Sequence, residues 1–490
     1  MKEALKVKKW GGENAAELTQ SPQNVLADFR KGVEQVLVVS AIRSPKFNTT
    51  DKLIIIGKLL GDTKITFQEV ESKIEELKEF HLDIIKEKLE NVSQDLLDYV
   101  AQQFDLFKAH IEFWCVNKQI IPNKENDYLI NTQNGSISII GFGEYISACI
   151  LSIVINALGE DGISSSQLDL SNITDGIDGN SEQLFRELSE RISKRVNSLL
   201  EFGVIPVVPG YIPGFEQGIE NAIGRGYSDA TASMVAVGLS EDFDVTLEVQ
   251  KSVRGMLSAD PRLLENSNTA KLIERLDYLT AKEITGIRGA QAKLLHNQVL
   301  RRELQESGIK VYLFDPFREG KGTIISKQKN LDSSGVEFIG GRDKVLVCTV
   351  SLGNMSDSGI VFKIFSIVQD YASVDIIGTS ETELSFTIDA GLSKNKLAEM
   401  SDRIRKSLGI QEDGYENFVR FQENKSLVYC VGQNLSHSLG SLGRAATALA
   451  SGGVNIEMVS QGTMERAMVF CIRGEDFKKA VNLLHDEFIR

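Results

Sequence analysis

Short, unbroken apolar runs punctuate the first two-thirds of the chain. The run EQVLVVSA (Glu34 to Ala41) has no polar alternation, which is the pattern of a strand buried on both faces of a parallel sheet. GVIPVVPGY, DVTLEV and GIKVYLFDP repeat that texture near residues 204, 244 and 308. Helical patterns such as SEQLFRELSERISKRVNSLLEF lie between them, and this βαβ alternation predicts a three-layer α/β domain with a mostly parallel sheet. Over residues 67–115, Val70, Ile74, Leu77, Ile84 and Leu89 recur at roughly helical spacing with Glu and Lys between them. That stretch reads as a helical insertion packed on the domain.

The pattern changes after the polar, turn-rich SKQKNLDSSG (Ser326 to Gly335), which reads as a linker. Shorter elements follow, and they repeat. SGIVFKIFSIVQDYASVDIIGTSETELSFTI and LGSLGRAATALASGGVNIEMVSQGTMERAMVFCI share one order: glycine, amphipathic helix, V-D/N-I, a serine-bearing turn and a second strand. Two copies of a small α+β module are expected.

At 490 residues the chain is too long for one core, and several domains are expected. Its 68 acidic against 54 basic residues argue against a nucleic-acid or membrane-surface role. Five cysteines without a CxxC pair read as reduced structural thiols, and neither they nor the five histidines have metal-ligand spacing. The opening MKEALKVKKWGGE lacks the apolar core of a signal peptide, and YISACILSIVINAL is too short to cross a bilayer, so a cytoplasmic protein is expected.

No GxxxxGK(S/T), GxGxxG, GxSxG or HExxH motif is present. Instead, cations sit at or near glycine-rich turns. In VKKWGG a strand ends on Lys9, and Gly11 and Gly12 let backbone amides approach an anion that the ammonium neutralises. In GRGYSDATA, Ser228 or Asp229 can cap a helix while Arg225 stays free to hold a carboxylate. SVRGMLSADPRL and GAQAKLLHNQ add Arg262 and Lys293. Each stretch alone also fits a plain turn or a surface cation.

Taken in order, these motifs resemble the aspartokinase family within the amino-acid kinase fold. Lys9–Gly12 is similar to the start of K-F-G-G-T-S, Val38–Ala41 to V-V-S-A, GEYISA to G-E-x-x-S/A, and GRGYSDATA to G-R-G-G/Y-S/T-D-x-T/C-A. PVVPGYIPG, GMLSADPR and QAKLLH resemble the family's later motifs, and VDIIGTSE and VNIEMVSQG resemble its paired ACT modules. The resemblance implies a kinase domain over 1–325, a linker over 326–342, and ferredoxin-like ACT modules over 343–417 and 418–490.

It further implies transfer of the ATP γ-phosphoryl group to the side-chain carboxylate of L-aspartate, giving 4-phospho-L-aspartate at the head of lysine, threonine and methionine synthesis. Lys9 and Asp229 would be catalytic. Ser40, Thr50, Glu144, Arg225 and Ser228 would hold the amino acid. Gly11, Gly12, Lys251, Ser252, Leu257, Arg262, Lys293 and Leu294 would hold ATP, whose own oxygens would chiefly bind Mg2+, with no metal site built by the protein. Met355, Asp357, Gly359, Val361, Asp375, Ser380 and Glu381 would line a site for lysine or threonine between paired modules of a homodimer, or of a dimer of dimers. The chain departs from the pattern at Glu13–Asn14 (Thr-Ser), Pro209 (Thr), Leu257 (Tyr or Phe) and the W-x-D/E-V-D-G run, here Gln250 to Gly255. A carboxylate at Glu13 would repel phosphate unless it turns away. Those swaps leave two alternatives: a kinase for another amino-acid carboxylate, and a catalytically impaired ACT-type amino-acid sensor.

Overall fold

The protein is described by a computed structural model covering residues 2–61, 66–90, 92–117, 121–122, 128–132, 135–159, 163–177, 181–215, 219–222, 226–287, 295, 297–318, 320–328, 335–351, 359–410, 418–433, 435–461 and 466–489. It divides into two compact units, one of residues 1–255 and 294–327, the other of 256–293 and 328–490.

In the first unit the apolar runs become neighbouring strands. Glu3–Trp10 lies at the centre, pairing in parallel with Glu34–Val39 on one side and Phe243–Gln250 on the other. Val204–Pro209 and then Ser164–Gln167 extend the sheet in parallel beyond Glu34–Val39. Beyond Phe243–Gln250 lie parallel Lys310–Phe314 and antiparallel Thr323–Ser326. Helices Gln20–Arg30 and Phe142–Leu158 pack on each other, as do Ser181–Leu200 and Tyr227–Leu239, and these pairs supply helices to the sheet. Helix Phe142–Leu158 is nearly all apolar because it is buried, with twelve buried residues. The expected insertion is a pair of helices, Phe67–Lys88 and Gln94–Asn117. Val70, Ile74, Leu77 and Ile84 enter one core with Val100, Phe104, Phe142 and Ile146, so their periodicity encodes packing. Among the described residues no helix is long and apolar enough to cross a membrane.

In the second unit the repeat is visible as two sets of elements. Each begins with a long strand, Phe338–Ser351 or Val419–Val431. A helix capped by a left-handed glycine follows: Gly359 (φ 88°) before Ile360–Val368, and Gly440 (φ 76°) before Ser441–Ser451. Two strands and a last helix complete each set. The two long strands lie side by side at the centre of one six-stranded sheet: Phe338–Ser351 pairs with Val419–Val431 over most of its length, and its second half, Val345–Ser351, also pairs with Glu383–Asp389 of the first set. The register shifts at a bulge after Arg342, where Lys344 has φ 59°. Buried Arg342 locks it by pairing with Asp375 at 2.6 Å and Asp389 at 2.7 Å. The strand starting at Phe338 therefore begins within the stretch expected to be linker. Cys348, Cys430 and Cys471 are buried, free thiols in these cores, as is Cys149 in the first unit.

Candidate active site

Lys9, Ser40, Gly210 and Lys251 sit at or just past the C-terminal ends of adjacent parallel strands, which is where open α/β sheets bind ligands. The central strand ends on Lys9–Trp10 and runs into Gly11, whose amide donates to the Gln250 carbonyl at 3.3 Å. A Cβ on Gly12 would lie 2.5 Å from the Ala41 carbonyl oxygen, so the tight passage between these strand ends requires glycine.

Helix Tyr227–Leu239 starts beside these ends. The sequence offers Ser228 or Asp229 as its cap; the structure uses neither. Gly226, at φ 77°, forms the N-cap without a side-chain bond. Ser228 and Asp229 thus lie in the first helical turn and are released for other contacts. Ser228 Oγ lies 3.0 Å from Ser40 Oγ.

The buried Asp229 carboxylate is shared by two cations. Lys9 Nζ is 2.7 Å from Oδ1, an ion pair off the line of a good hydrogen bond, and Lys251 Nζ donates to Oδ2 at 3.1 Å. Burial alone would raise the Asp229 carboxyl, but Lys9 and Lys251 outweigh it and hold the group far below the ordinary carboxylate range. Burial pulls the Lys9 ammonium below its usual range, with Asp229 opposing it.

Glu144, in the first turn of Phe142–Leu158, is 2% exposed. Burial pushes its carboxyl up to about 7, against hydrogen bonds from the Ala41 amide and the Tyr227 hydroxyl and the charge of Lys9. Its Oε2 is buried and has no partner among the described residues. On the sequence-based expectation that Glu144 holds the ammonium of aspartate, the bound ammonium would favour the ionised form, so aspartate KM is expected to fall as pH rises from 6 to 8, with an inflection near 7 that Glu144→Gln removes. A flat KM across this range in the parent would overturn that expectation.

The carboxylate of Glu13 is 42% exposed and pairs with Arg43 at 3.3 Å, a cation that offsets its charge. Asn14 is buried instead. Thr50 is partly exposed at the start of helix Thr49–Gly61, its amide bonded to Asn48 Oδ1 at 3.1 Å. Ser252 is exposed just past Lys251. Arg225, Lys293 and Leu294 lie outside the described residues, as do Met355 and Asp357. Leu257 and Arg262 belong to the second unit, where Leu257 bridges to Leu272 and the exposed Arg262 pairs with Asp260 at 2.9 Å. Tyr227 and the Ala41 amide escaped the sequence reading. Tyr227 was visible within GRGYSDATA, but a backbone donor has no residue signature.

The model of the amino acid kinase family matches residues 5–315. The chain belongs to that family. This amino acid kinase also carries a match to the ACT domain over residues 428–488, within the second repeat. It is 25% identical over 494 residues to aspartokinase 1, chloroplastic, of Arabidopsis thaliana, covering 98% of this chain and 80% of that one. Its fold is that of the aspartate kinase of Clostridium acetobutylicum, at TM-score 0.72 and 22% identity over 99% of this chain and 100% of the other. It is also that of E. coli aspartokinase III in complex with aspartate and ADP, at TM-score 0.66 and 20% identity over the same shares.

Proposed function

We propose that this amino acid kinase phosphorylates the side-chain carboxylate of L-aspartate with ATP, releasing ADP and 4-phospho-L-aspartate. The observation that carries the reading is the pairing of two buried sites: a carboxylate clamped by two lysines beside the Gly11–Gly12 turn, and Glu144 with one oxygen unpartnered. The first suits a polyphosphate and the second an ammonium. Aspartokinase relatives along nearly the whole chain support it.

A carboxylate oxygen of aspartate attacks the γ-phosphorus as the bond to the β–γ bridging oxygen breaks. The nucleophile is already ionised, so positioning and charge neutralisation carry the catalysis. Lys9 faces the transferring phosphoryl group, with the Gly11–Gly12 turn beside it. Asp229 orients Lys9. Glu144 takes the substrate ammonium, with Arg225 on its α-carboxylate and Ser40, Ser228 and Thr50 around it. Lys251, Ser252 and Leu294 complete the nucleotide side. Among the described residues no three His, Cys, Asp or Glu side chains group as metal ligands. Both Asp229 oxygens already face ammoniums, an arrangement that fits Mg2+ carried on ATP oxygens. The bound ion would neutralise phosphate charge.

The regulatory part of the proposal rests on the second unit. Gly359 starts helix Ile360–Val368 with free amides suited to an amino-acid carboxylate, and Val361 is exposed beside it. Asp375 is already paired with Arg342, so an effector's ammonium would compete with a guanidinium there. Ser380 closes a turn by accepting from the Glu383 amide at 3.1 Å, with Glu381 exposed. In this proposal a homodimer of ACT modules, working in the cytoplasm, binds an end-product amino acid at these residues. Millimolar lysine or threonine should then inhibit turnover, with a coupling of roughly 1 to 3 kcal/mol. No change in activity or melting temperature with either one would remove feedback from the account.

ADP release with Mg-ATP, measured in turn with aspartate, glutamate and N-acetylglutamate, tests the substrate. Strong stimulation by aspartate alone is expected. Preference for another acid would make the chain a different carboxylate kinase, and no stimulation would favour a sensor.

A further inference from the structure

The first turn of helix Tyr227–Leu239 sends three consecutive side chains to three different parts of the site. Ser228 Oγ meets Ser40 Oγ at 3.0 Å, and Asp229 holds Lys9 and Lys251. Tyr227, the first of the three, donates its hydroxyl to the Glu144 carboxyl. That carboxyl is anchored on one side only. The Tyr227 hydroxyl and the Ala41 amide both donate to it, yet its buried Oε2 has no partner among the described residues, so these donors serve Oε1. One oxygen is fixed, and the other is left for an incoming donor.

The Tyr227 ring is itself held. Buried Tyr211 meets it edge to face, with centroids 5.2 Å apart and planes at 77°. A Cβ on Gly141 would lie 2.4 Å from Tyr211 Cδ1, so the same Tyr211 ring packs on the N-cap of helix Phe142–Leu158, three residues before Glu144. Thr231 Oγ1 donates to the Gly210 carbonyl at 2.7 Å, which ties the Tyr211 segment to the helix of Tyr227. Both ends of the Tyr227–Glu144 bond therefore rest on one aromatic ring. The charge facing Glu144 is that of Lys9 on the central strand. Helix Thr49–Gly61 brings Thr49 and Leu53 against Gly143, and helix Gln94–Asn117 brings Phe104 and Phe107 against Phe142, all uncharged.

We propose that Tyr227 is a positioning residue for the amino-acid substrate: its hydroxyl anchors one Glu144 oxygen, so that the other is presented to the substrate ammonium. The inference rests on the aspartate kinase reading for the identity of the substrate, but the hold of Tyr227 on Glu144 does not. A donor to the ionised carboxylate favours that form, so losing it should push the Glu144 carboxyl further above its usual range.

The test compares full-length parent, Tyr227→Phe, Glu144→Gln and the double variant. Phenylalanine keeps the ring against Tyr211 and loses only the hydroxyl. The inflection in aspartate KM should move up from about 7 by roughly one pH unit. At pH 7 the ionised fraction of Glu144 then falls from about one half to about one tenth, and aspartate KM should rise about fivefold, with kcat and ATP KM within about twofold. In the Glu144→Gln background the same substitution should change aspartate KM by less than about twofold, a non-additivity that a role in folding alone would not produce. The carbon-13 carboxyl signal of Glu144, assigned by its loss in Glu144→Gln, gives a readout independent of turnover. Its titration midpoint should rise in Tyr227→Phe by the same roughly one unit. Unmoved aspartate KM and inflection in Tyr227→Phe, or an equal effect with and without Glu144, overturns the inference. If the parent shows no aspartate-dependent ADP release, a raised midpoint in Tyr227→Phe sustains the anchoring while the substrate assignment falls. An unmoved midpoint overturns the anchoring itself.

Discussion

Lys9→Ala should lower kcat by about two orders of magnitude or more, because the proposed mechanism places its ammonium where negative charge redistributes in the transition state. Aspartate KM should change little, since Glu144, not Lys9, is assigned to the amino acid. The fold should survive even though Lys9 is buried. Asp229 keeps Lys251 as a partner at 3.1 Å, so the substitution leaves no carboxylate stranded in the interior. The check is a pair of measurements: steady-state kinetics and a melting curve. Near-normal kcat in a folded variant would remove Lys9 from the chemistry. Lost activity together with a collapsed melting transition would make the lysine a structural residue instead.

Asp229→Ala should be harsher, because it removes the only negative charge shared by Lys9 and Lys251 within their three-residue cluster. Two ammoniums with low exposure would then face each other with only the Glu144 carboxyl left to offset the charge of Lys9. Breaking a buried pair by deleting one partner costs about 3 to 5 kcal/mol. Activity should fall by roughly three orders of magnitude, and the melting temperature of the first unit should drop by several degrees. Asp229→Asn, which keeps shape but not charge, should lose comparable activity. Mg-ATP should also bind these variants differently from the parent, since a polyphosphate can replace the missing charge: ligand-induced stabilisation should persist in Asp229→Ala while turnover does not. An Asp229→Ala protein with parental melting temperature and turnover contradicts the assignment of this cluster to the reaction.

Much of this arrangement was legible before the structure. Buried parallel strands betray themselves as unbroken apolar runs, and Glu34–Val39 and Val204–Pro209 fall within such runs. The insertion's helical period and the repeat after residue 335 are local patterns as well, and local patterns survive in sequence. The glycines at 12 and 226 mark places where the backbone passes too close, or turns too sharply, for a side chain.

What stayed hidden depends on long side chains and distant partners. Nothing in GGEN says that Glu13 reaches Arg43 rather than a phosphate. Likewise, Lys251 reads as one more cation on a nucleotide turn until Asp229, 22 positions away, is seen to hold it together with Lys9. The joining of the two modules into one sheet was invisible for a related reason. A strand paired along both edges has the same alternation as one paired along a single edge, and the bulge at Arg342–Lys344, held by Asp375 and Asp389, shows only in the fold. The helix cap at Gly226 shows the same limit, since Ser228 and Asp229 are good capping residues whose side chains were needed elsewhere.

The central claim is that aspartate's side-chain carboxylate becomes an acyl phosphate. Hydroxylamine trapping tests it directly: the full chain is incubated with Mg-ATP, L-aspartate and hydroxylamine, and the product is identified by mass. The account predicts aspartate β-hydroxamate, formed in step with ADP and absent when ATP is omitted. ADP release without hydroxamate, or neither product from a folded protein, would contradict it.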